Sequence, residues 1–401
     1  MIYIKSTIDF VESGYYSITN MPVLIIRGTM PFVVKLGYND NGSIIEFFTG
    51  SYTFIADEKI ELDFKDVLLT LFDNKDPQLN LDFFTQPNFI KTIRIEVSDT
   101  ETTEYINFNV LNINAHSTSN IVEVLKKRFL TQQPSVKVTT VAAPEFLTYF
   151  YTDTNFKLVV KIYYLNNVYD IKTLYQWDGQ SHVVTHNVSP SKVLGLSLYR
   201  RKPFYDIYVV DGNDQRISSI QRYVVKEPTE RENYYLFYNS FGGLDTLITI
   251  GSNIEIPKVK YELAQTSLGL LLLDNNKDYI EYEQNSGFFS KEYISLIEDF
   301  LFSKKKKYIF TQNICNDIIV TENELQFDNK DVIVSFSFHY RKLNDITQIT
   351  NIDIDSDLIV EYPIDNEGAY NEDGHDEDVY LKKDLLIWKD DDMYINEEMW
   401  Y

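Results

Sequence analysis

The stretch YLFYNSFGGLDTLITIG, residues 235–251, sets two adjacent glycines between runs of aromatic and aliphatic residues. Gly242 and Gly243 stand out because the chain has only 15 glycines among 401 residues. A phosphate-binding loop needs several glycines that open a helix, whereas the segment after Gly243 is strand-like. The pattern therefore predicts a turn between strands at 234–238 and 246–250, with glycine supplying a positive φ.

Two polar residues flank the glycine pair and are predicted to brace this turn. Asn239 and Asp245 can form side-chain to backbone hydrogen bonds around it. A second interpretation stays open, in which a ligand or a partner backbone approaches the bare glycines. Under the turn interpretation, Gly243→Val is expected to misfold the protein or block its assembly without abolishing any chemistry.

Composition favours a β protein and excludes several functional classes. The 30 Tyr and 26 Phe suit pleated, half-buried surfaces. A net charge of −23 repels a phosphate backbone and argues against nucleic-acid binding. The single cysteine, Cys315, excludes an intramolecular disulfide and a cysteine-based zinc site. The N-terminus lacks the apolar run of a signal peptide, so we expect synthesis in a reducing cytoplasm and no membrane insertion.

The fold class predicted is mainly β, with two antiparallel β-sandwich-like domains, a small α+β domain and an acidic C-terminal arm. Recurrent short strands separated by turn residues indicate the sandwiches. A capped apolar face predicts a helix over 120–130 in the linker, and Ser290 precedes a second helix. The predicted domains are a β-sandwich at 1–115, a helical linker at 116–135, a second β-sandwich at 136–256, an α+β domain at 257–350 and the arm at 351–401.

Two charged segments carry alternative interpretations. Lys304–Lys307 follow the second helix and either complement its dipole or form a docking patch for an acidic neighbour. The arm at 351–401 holds 17 acidic residues and three lysines, a net charge of −14. It is either a solubilising tail or a docking arm anchored by its aromatic residues. The candidate partner-binding residues are Trp388, Tyr394, Trp400 and Tyr401.

Catalytic and metal-binding patterns are not evident. His182 and His186 would lie about 13 Å apart on a strand that rises ~3.3 Å per residue, too far to share one metal ion. The acidic runs at 353–357 and 371–378 lack the ligand spacing of a calcium loop. No nucleophile motif occurs, so we predict no enzyme, no metal and no cofactor. Trp177, in YQWDGQ at 175–180, is the best candidate for stacking on a glycan, although a packed tryptophan fits the same pattern.

Three segments together resemble one family. FTGSYTFIADEKIELDFKDVLLTL (48–71) resembles a segment of virion-associated proteins from tailed phages and prophages of Bacteroidetes. YNSFGGLDTLITIG (238–251) is similar to their Gly-Gly-x-Asp segment. YISLIEDFLFSKKKKYIF (293–310) with DIIVTENELQFDNKDVIVSFSFHYR (317–341) looks like their C-terminal helix and strands. The matches span most of 45–341, and the AT-rich residue usage fits crAss-like phages.

This resemblance implies a non-enzymatic structural component of the virion, in the tail, baseplate or an appendage. The resemblance implies that its partners are other virion proteins and that the chain forms a homo-oligomer or a multi-copy assembly. It also implies that the protein is made in the host bacterial cytoplasm and becomes part of the virion. The matched motifs are structural and imply no active site, and the acidic arm lies outside them. Two alternatives stay open: a receptor-binding protein that recognises host capsular glycans, and a polysaccharide depolymerase.

Overall fold

A computed structural model of the chain confirms the mainly β fold. The described residues belong to one compact unit, Met1–Thr347. The structure describes residues 3–343 except for gaps at 7–12, 29, 41, 55–58, 73, 75, 115–120, 152–154, 165–167, 178, 180–181, 196–203, 266–270, 312–313 and 327–331. No described helix is long and apolar enough to cross a membrane.

Strands make up most of the described elements. The strands are β1 (Tyr3–Ser6), β2 (Tyr15–Ser17), β3 (Leu24–Arg27), β4 (Phe32–Asp40), β5 (Ser43–Tyr52), β6 (Lys59–Leu62), β7 (Phe83–Thr85), β8 (Ile90–Ser98), β9 (Thr103–Leu111), β10 (Val136–Thr140), β11 (Phe146–Tyr151), β12 (Phe156–Tyr163), β13 (Tyr169–Trp177), β14 (His182–Asn187), β15 (Phe204–Val210), β16 (Gln221–Lys226), β17 (Asn233–Tyr238), β18 (Leu244–Thr249), β19 (Asn253–Gln265), β20 (Leu271–Asn285), β21 (Phe289–Ser290), β22 (Lys306–Thr311), β23 (Ile314–Asn323), β24 (Ile333–Val334) and β25 (Ser337–Lys342). The helices are α1 (Lys65–Leu69), α2 (Ile121–Leu125), α3 (Pro190–Leu194) and α4 (Ile294–Phe302).

The N-terminal segment forms two sheets that share one core. Their strand orders are β1-β3-β6 and β2-β9-β8-β4-β5. Alternate side chains of β8 point inward, so that Ile93, Ile95 and Val97 are fully buried against Leu24 and Ile26 of β3. Period-two alternation of this kind is what the sequence pattern predicts for a half-buried strand.

A second pair of sheets shares another core. Their orders are β11-β14-β7 and β10-β16-β15-β12-β13, and inward side chains such as Leu158 and Val160 fill the space between them. β7 comes from the segment predicted as a separate sandwich, yet it pairs with β14, with Thr85 opposite Val184. Local sequence pattern cannot reveal this pairing because the two strands are about a hundred residues apart.

The two pairs of sheets form a first and a second sheet system, and a single seven-stranded sheet forms a third. Its strand order is β18-β17-β22-β23-β25-β20-β19, and α4 packs on it through Leu296, Ile297 and Phe300. The strands predicted at 234–238 and 246–250 were expected to belong to the second sandwich. In the structure β17 pairs with β22, with Tyr235 opposite Tyr308, so both strands belong to the seven-stranded sheet. Again the decisive pairing is non-local.

Two local elements differ from the sequence-based expectations. The helix predicted over 120–130 is shorter in the structure, Ile121–Leu125. The Leu130 N–H donates 2.9 Å to the carbonyl oxygen of Thr148 on β11, so Leu130 is not part of the helix. The hairpin β19–β20 was not predicted, and its strand β19 contains Pro257, a residue that is rare in central strands. Since β19 is the last strand of its sheet, proline is tolerated there.

Candidate functional site

The glycine pair lies in a tight turn between β17 and β18. The Asn239 N–H donates 2.9 Å to the Gly243 carbonyl oxygen, and the Gly242 N–H donates 2.8 Å to the Asn239 carbonyl oxygen. The side-chain Oδ1 of Asn239 accepts from the N–H groups of Phe241 and Gly243, at 2.9 and 3.0 Å. Gly242 has a φ of +72°, a conformation that glycine adopts without a steric penalty.

Both glycines also allow close approach to other parts of the chain. A Cβ built on Gly243 would overlap the carbonyl oxygen of Leu130. A Cβ on Gly242 would lie 2.5 Å from the carbonyl oxygen of Asn112. The glycine pair therefore lies in a turn, and the backbone groups that approach it belong to the same chain. Approach of a ligand or a partner backbone stays a prediction.

The turn is hydrogen-bonded to each of the three sheet systems. The Asn114 N–H, just beyond β9, donates 2.7 Å to the Ser240 carbonyl oxygen. The Leu244 N–H donates 3.1 Å to Oγ1 of Thr148 on β11. The N–H and Oγ of Ser240 both donate 2.9 Å to Oδ2 of Asp299 on α4. Residues 239–245, which we call the junction turn, thus tie the three sheet systems together.

Asp245 carries a fully buried carboxyl group at the base of the junction turn. Thr131 Oγ1 donates 2.6 Å to its Oδ1, and Asn239 Nδ2 donates 2.7 Å to its Oδ2. Burial raises the pKa of Asp245 to about 6, although these hydrogen bonds favour the ionised form and offset part of the effect. Since both oxygens are engaged by internal donors, the group joins two segments of the chain.

Replacing Asp245 with asparagine is expected to change how stability depends on pH. The folded-state pKa of about 6 lies above the unfolded value of ~3.9, so the contribution of the neutral carboxyl is fully present below about pH 4 and is lost as pH rises through 6. The unfolding free energy of the wild type relative to Asp245→Asn should fall by about 3 kcal/mol over this range. Chemical denaturation at pH 3 to 7 measures it, and parallel profiles would contradict the assignment.

The wild type and Asp245→Asn must be compared because burial of His186 makes stability depend on pH in the opposite direction. His186 is buried, its Nε2 lies 2.9 Å from Tyr151 Oη, and burial lowers its pKa to about 3. Its contribution to stability is present above ~6.5 and is lost as pH falls towards 3. Both proteins keep His186, so its effect cancels in the difference.

A buried ion pair that sequence reasoning missed lies beside the junction turn. Lys137 Nζ is 2.6 Å from Glu145 Oε2, and it also donates 2.6 Å to the Thr246 carbonyl oxygen. The two side chains are 1% and 0% exposed. The surrounding VKV pattern gives no signal for this, because Val136 and Val138 face solvent while Lys137 faces inward.

Trp177 ends β13 and is half-buried in a cluster of rings. Its ring centroid lies 5.8 Å from that of Tyr151, 6.3 Å from Tyr175 and 5.2 Å from His182. The ring packs against the second core. The glycan-stacking role of Trp177 stays a prediction.

A cleft of about 410 Å³ opens between β10 and β21. Some of its polar groups are engaged internally: Val138 N–H donates 2.8 Å to Tyr293 Oη, and Thr140 Oγ1 donates 2.8 Å to Glu232 Oε2. Phe288 is 78% exposed and Ile250 is 48% exposed at its lining. The further apolar lining side chains are Val138, Ile248, Phe289 and Leu296. We call this feature the β10 cleft; its chemistry suits an apolar side chain from another protein.

The lysine run Lys304–Lys307 follows α4 and is largely engaged inside the molecule. Lys305 and Lys307 lie 3.4 and 3.3 Å from Asp76, and Lys307 lies 2.7 Å from Asp317. Lys306 donates to the Ser303 carbonyl oxygen, and burial lowers its pKa to about 8. These contacts favour a structural role for the run.

The remaining candidate residues lie elsewhere. The aromatic residues of the acidic arm fall outside the described residues: Trp388, Tyr394, Trp400 and Tyr401. In the part of the chain that the structure describes, no three His, Cys, Asp or Glu side chains are grouped closely enough to hold a metal ion.

Comparison with known proteins does not assign a family to this chain. No protein-family model matches the sequence, and no curated protein matches it either.

Proposed function

We propose that this protein is a non-enzymatic structural component of a bacteriophage virion, which assembles into the tail, baseplate or an appendage through protein–protein contacts. The resemblance of residues 48–71, 238–251 and 293–341 to virion-associated proteins supports the phage context. The observation that carries the assembly role is the exposed apolar rim of the β10 cleft.

The cleft has the composition of a docking surface. A phenylalanine that is 78% exposed, Phe288, leaves a large apolar area in water, and covering it stabilises a complex. Aromatic side chains at the centre of an interface contribute most of the binding free energy. Four charged residues line the cleft: Lys137, Lys226, Glu227 and Glu232. Glu232 and Lys137 are hydrogen-bonded or paired within the chain, so an incoming apolar side chain need not break their solvation.

The buried titratable groups have structural partners, which also supports an assembly role. Asp245 holds the junction turn, and Lys137 and Glu145 pair with each other. His186 contacts Tyr151 inside the second core. Each of these groups contributes to a packed framework, which suits a protein that presents rigid surfaces to neighbours.

The proposal is tested by placing a charge at the cleft. Phe288→Asp, introduced into a phage that encodes this chain, is expected to lower the amount of the protein in purified virions at least about tenfold, since a charge in an apolar interface removes a hot spot. Quantitative mass spectrometry against the major capsid protein measures it. The purified variant should keep its melting temperature, because Phe288 is exposed.

Phe302→Asp is the matched control. Phe302 is 83% exposed at the end of α4 and does not line the cleft. This variant should enter virions at the wild-type level. Equal incorporation of both variants would overturn the assignment of the cleft as the docking surface.

A further inference from the structure

β13 is an open edge of the second sheet system. It is the last strand in the order β10-β16-β15-β12-β13, and β12 is its partner among the described strands. Tyr169 and Ile171 are 51% and 57% exposed. An edge strand with exposed apolar residues is a template for pairing with another strand.

The backbone groups that face outward from β13 follow from its register. The Tyr164 N–H donates 2.9 Å to the Val168 carbonyl oxygen, so these residues form a hydrogen-bonded pair. Hydrogen-bonded and non-hydrogen-bonded pairs alternate along an antiparallel ladder. Since Asp170 pairs with Ile162 and Lys172 with Val160, residues 170 and 172 direct their N–H and C=O groups towards β12. Residues 169, 171 and 173 therefore direct theirs away from the sheet.

The ladder available at this edge is short and well defined. The register between β12 and β13 shifts after Thr173, where Thr173 faces Val159 and Tyr175 faces Leu158. Leu174 is the extra residue of this bulge, and a bulge interrupts regular pairing. The regular outward-facing edge thus runs from Tyr169 to Thr173.

The charges on this edge are self-complementary. In an antiparallel pairing of two copies centred on Ile171, Asp170 of each copy lies opposite Lys172 of the other. Both opposite-charge contacts fall at non-hydrogen-bonded positions, where side chains are closest. A register moved by one step places Asp170 opposite Asp170, or Lys172 opposite Lys172, and like charges disfavour both.

The backbone groups select the same register. Centred on Ile171, the outward-facing residues meet each other: Ile171 opposite Ile171, and Tyr169 opposite Thr173 at both ends. Each of these three pairs can exchange two N–H to C=O hydrogen bonds. The Ile171 pair and the two Tyr169–Thr173 pairs also bring β-branched and aromatic side chains together on one face.

We propose that β13 pairs antiparallel with β13 of a second copy of this chain, in the two-fold register centred on Ile171. The pairing joins the two five-stranded sheets into one continuous ten-stranded sheet. This inference deepens the proposed function by naming a second copy of the chain as one partner. Only the biological role of the dimer rests on the proposed function. It is tested on purified protein, so its failure is distinguishable from failure of cleft docking in virions.

The test exchanges the two charges in the full chain and measures mass by sedimentation. Asp170→Lys alone places lysine opposite lysine, and Lys172→Asp alone places aspartate opposite aspartate. Each variant should dimerise at least about tenfold more weakly than the wild type. An equimolar mixture should recover a heterodimer, and the double variant Asp170→Lys/Lys172→Asp should dimerise as the wild type does.

A backbone variant gives a second, independent readout. Ile171→Pro removes an outward-facing N–H that β12 does not use, so the fold should be retained while the dimer is lost. A wild-type protein that stays monomeric at about 100 μM would overturn the proposal. Single-charge variants that dimerise like the wild type, or variants that do not recover a dimer when mixed, would overturn it too.

Discussion

Gly243→Val is expected to leave the chain unfolded or insoluble, with a loss of more than about 4 kcal/mol of stability. Any Cβ at this position overlaps the carbonyl oxygen of Leu130, a backbone atom that cannot rotate away. Relief would require the junction turn to move off Leu130, which breaks the hydrogen bond from Asn239 Nδ2 to the same carbonyl oxygen. Gly243→Ala should therefore already be severely destabilised.

Gly212→Ala is the matched control for this prediction. A Cβ at Gly212 would lie 3.4 Å from the Cβ of Asn155, an ordinary contact. Soluble yield and thermal unfolding of the two alanine variants compare the same chemical change at two positions. If Gly243→Ala melted with the wild type, the close approach would not be a requirement of the fold.

Glu145→Ala is expected to produce the second-largest effect, a loss of about 3–5 kcal/mol. The substitution removes the carboxylate 2.6 Å from Lys137 Nζ and leaves a buried ammonium group with the Thr246 carbonyl oxygen as its remaining partner. Breaking one half of a buried pair is far more destabilising than replacing both halves. Chemical denaturation of the purified variant measures the loss.

The double variant Lys137→Met/Glu145→Met is the control for this ion pair. It removes both charges and keeps side-chain volume, so it should be much closer to the wild type than Glu145→Ala. A single variant that is as stable as the wild type would show that the pair does not hold β10 in place. A double variant as unstable as the single one would assign the effect to packing.

The sequence predicts features that depend on local pattern. Period-two alternation in segments such as Ile90–Ser98 gives the strands and the mainly β class. The Gly242–Gly243 pair, between two apolar runs, indicates the turn that the structure has between β17 and β18. These predictions need only neighbours along the chain, because turn conformation and side-chain alternation are local properties.

Features that depend on distant pairing could not be predicted in the same way. The close approach of Gly243 to Leu130 joins residues far apart in sequence, as does the pairing of β17 with β22. Lys137 illustrates the limit most clearly. Its neighbours Val136 and Val138 predict an inward apolar face, yet the lysine faces inward because Glu145 and Thr246 satisfy its ammonium group.

We propose that this chain is a built-in part of a phage particle, and its copy number in virions tests that proposal most directly. Density-gradient-purified virions of a phage that encodes the chain would be digested and quantified with isotope-labelled peptides from residues 48–71 and 238–251. We predict several copies per particle, at a fixed ratio to the major capsid protein that survives a high-salt wash. Virions that lack the chain, or that lose it in the wash, would contradict the structural role.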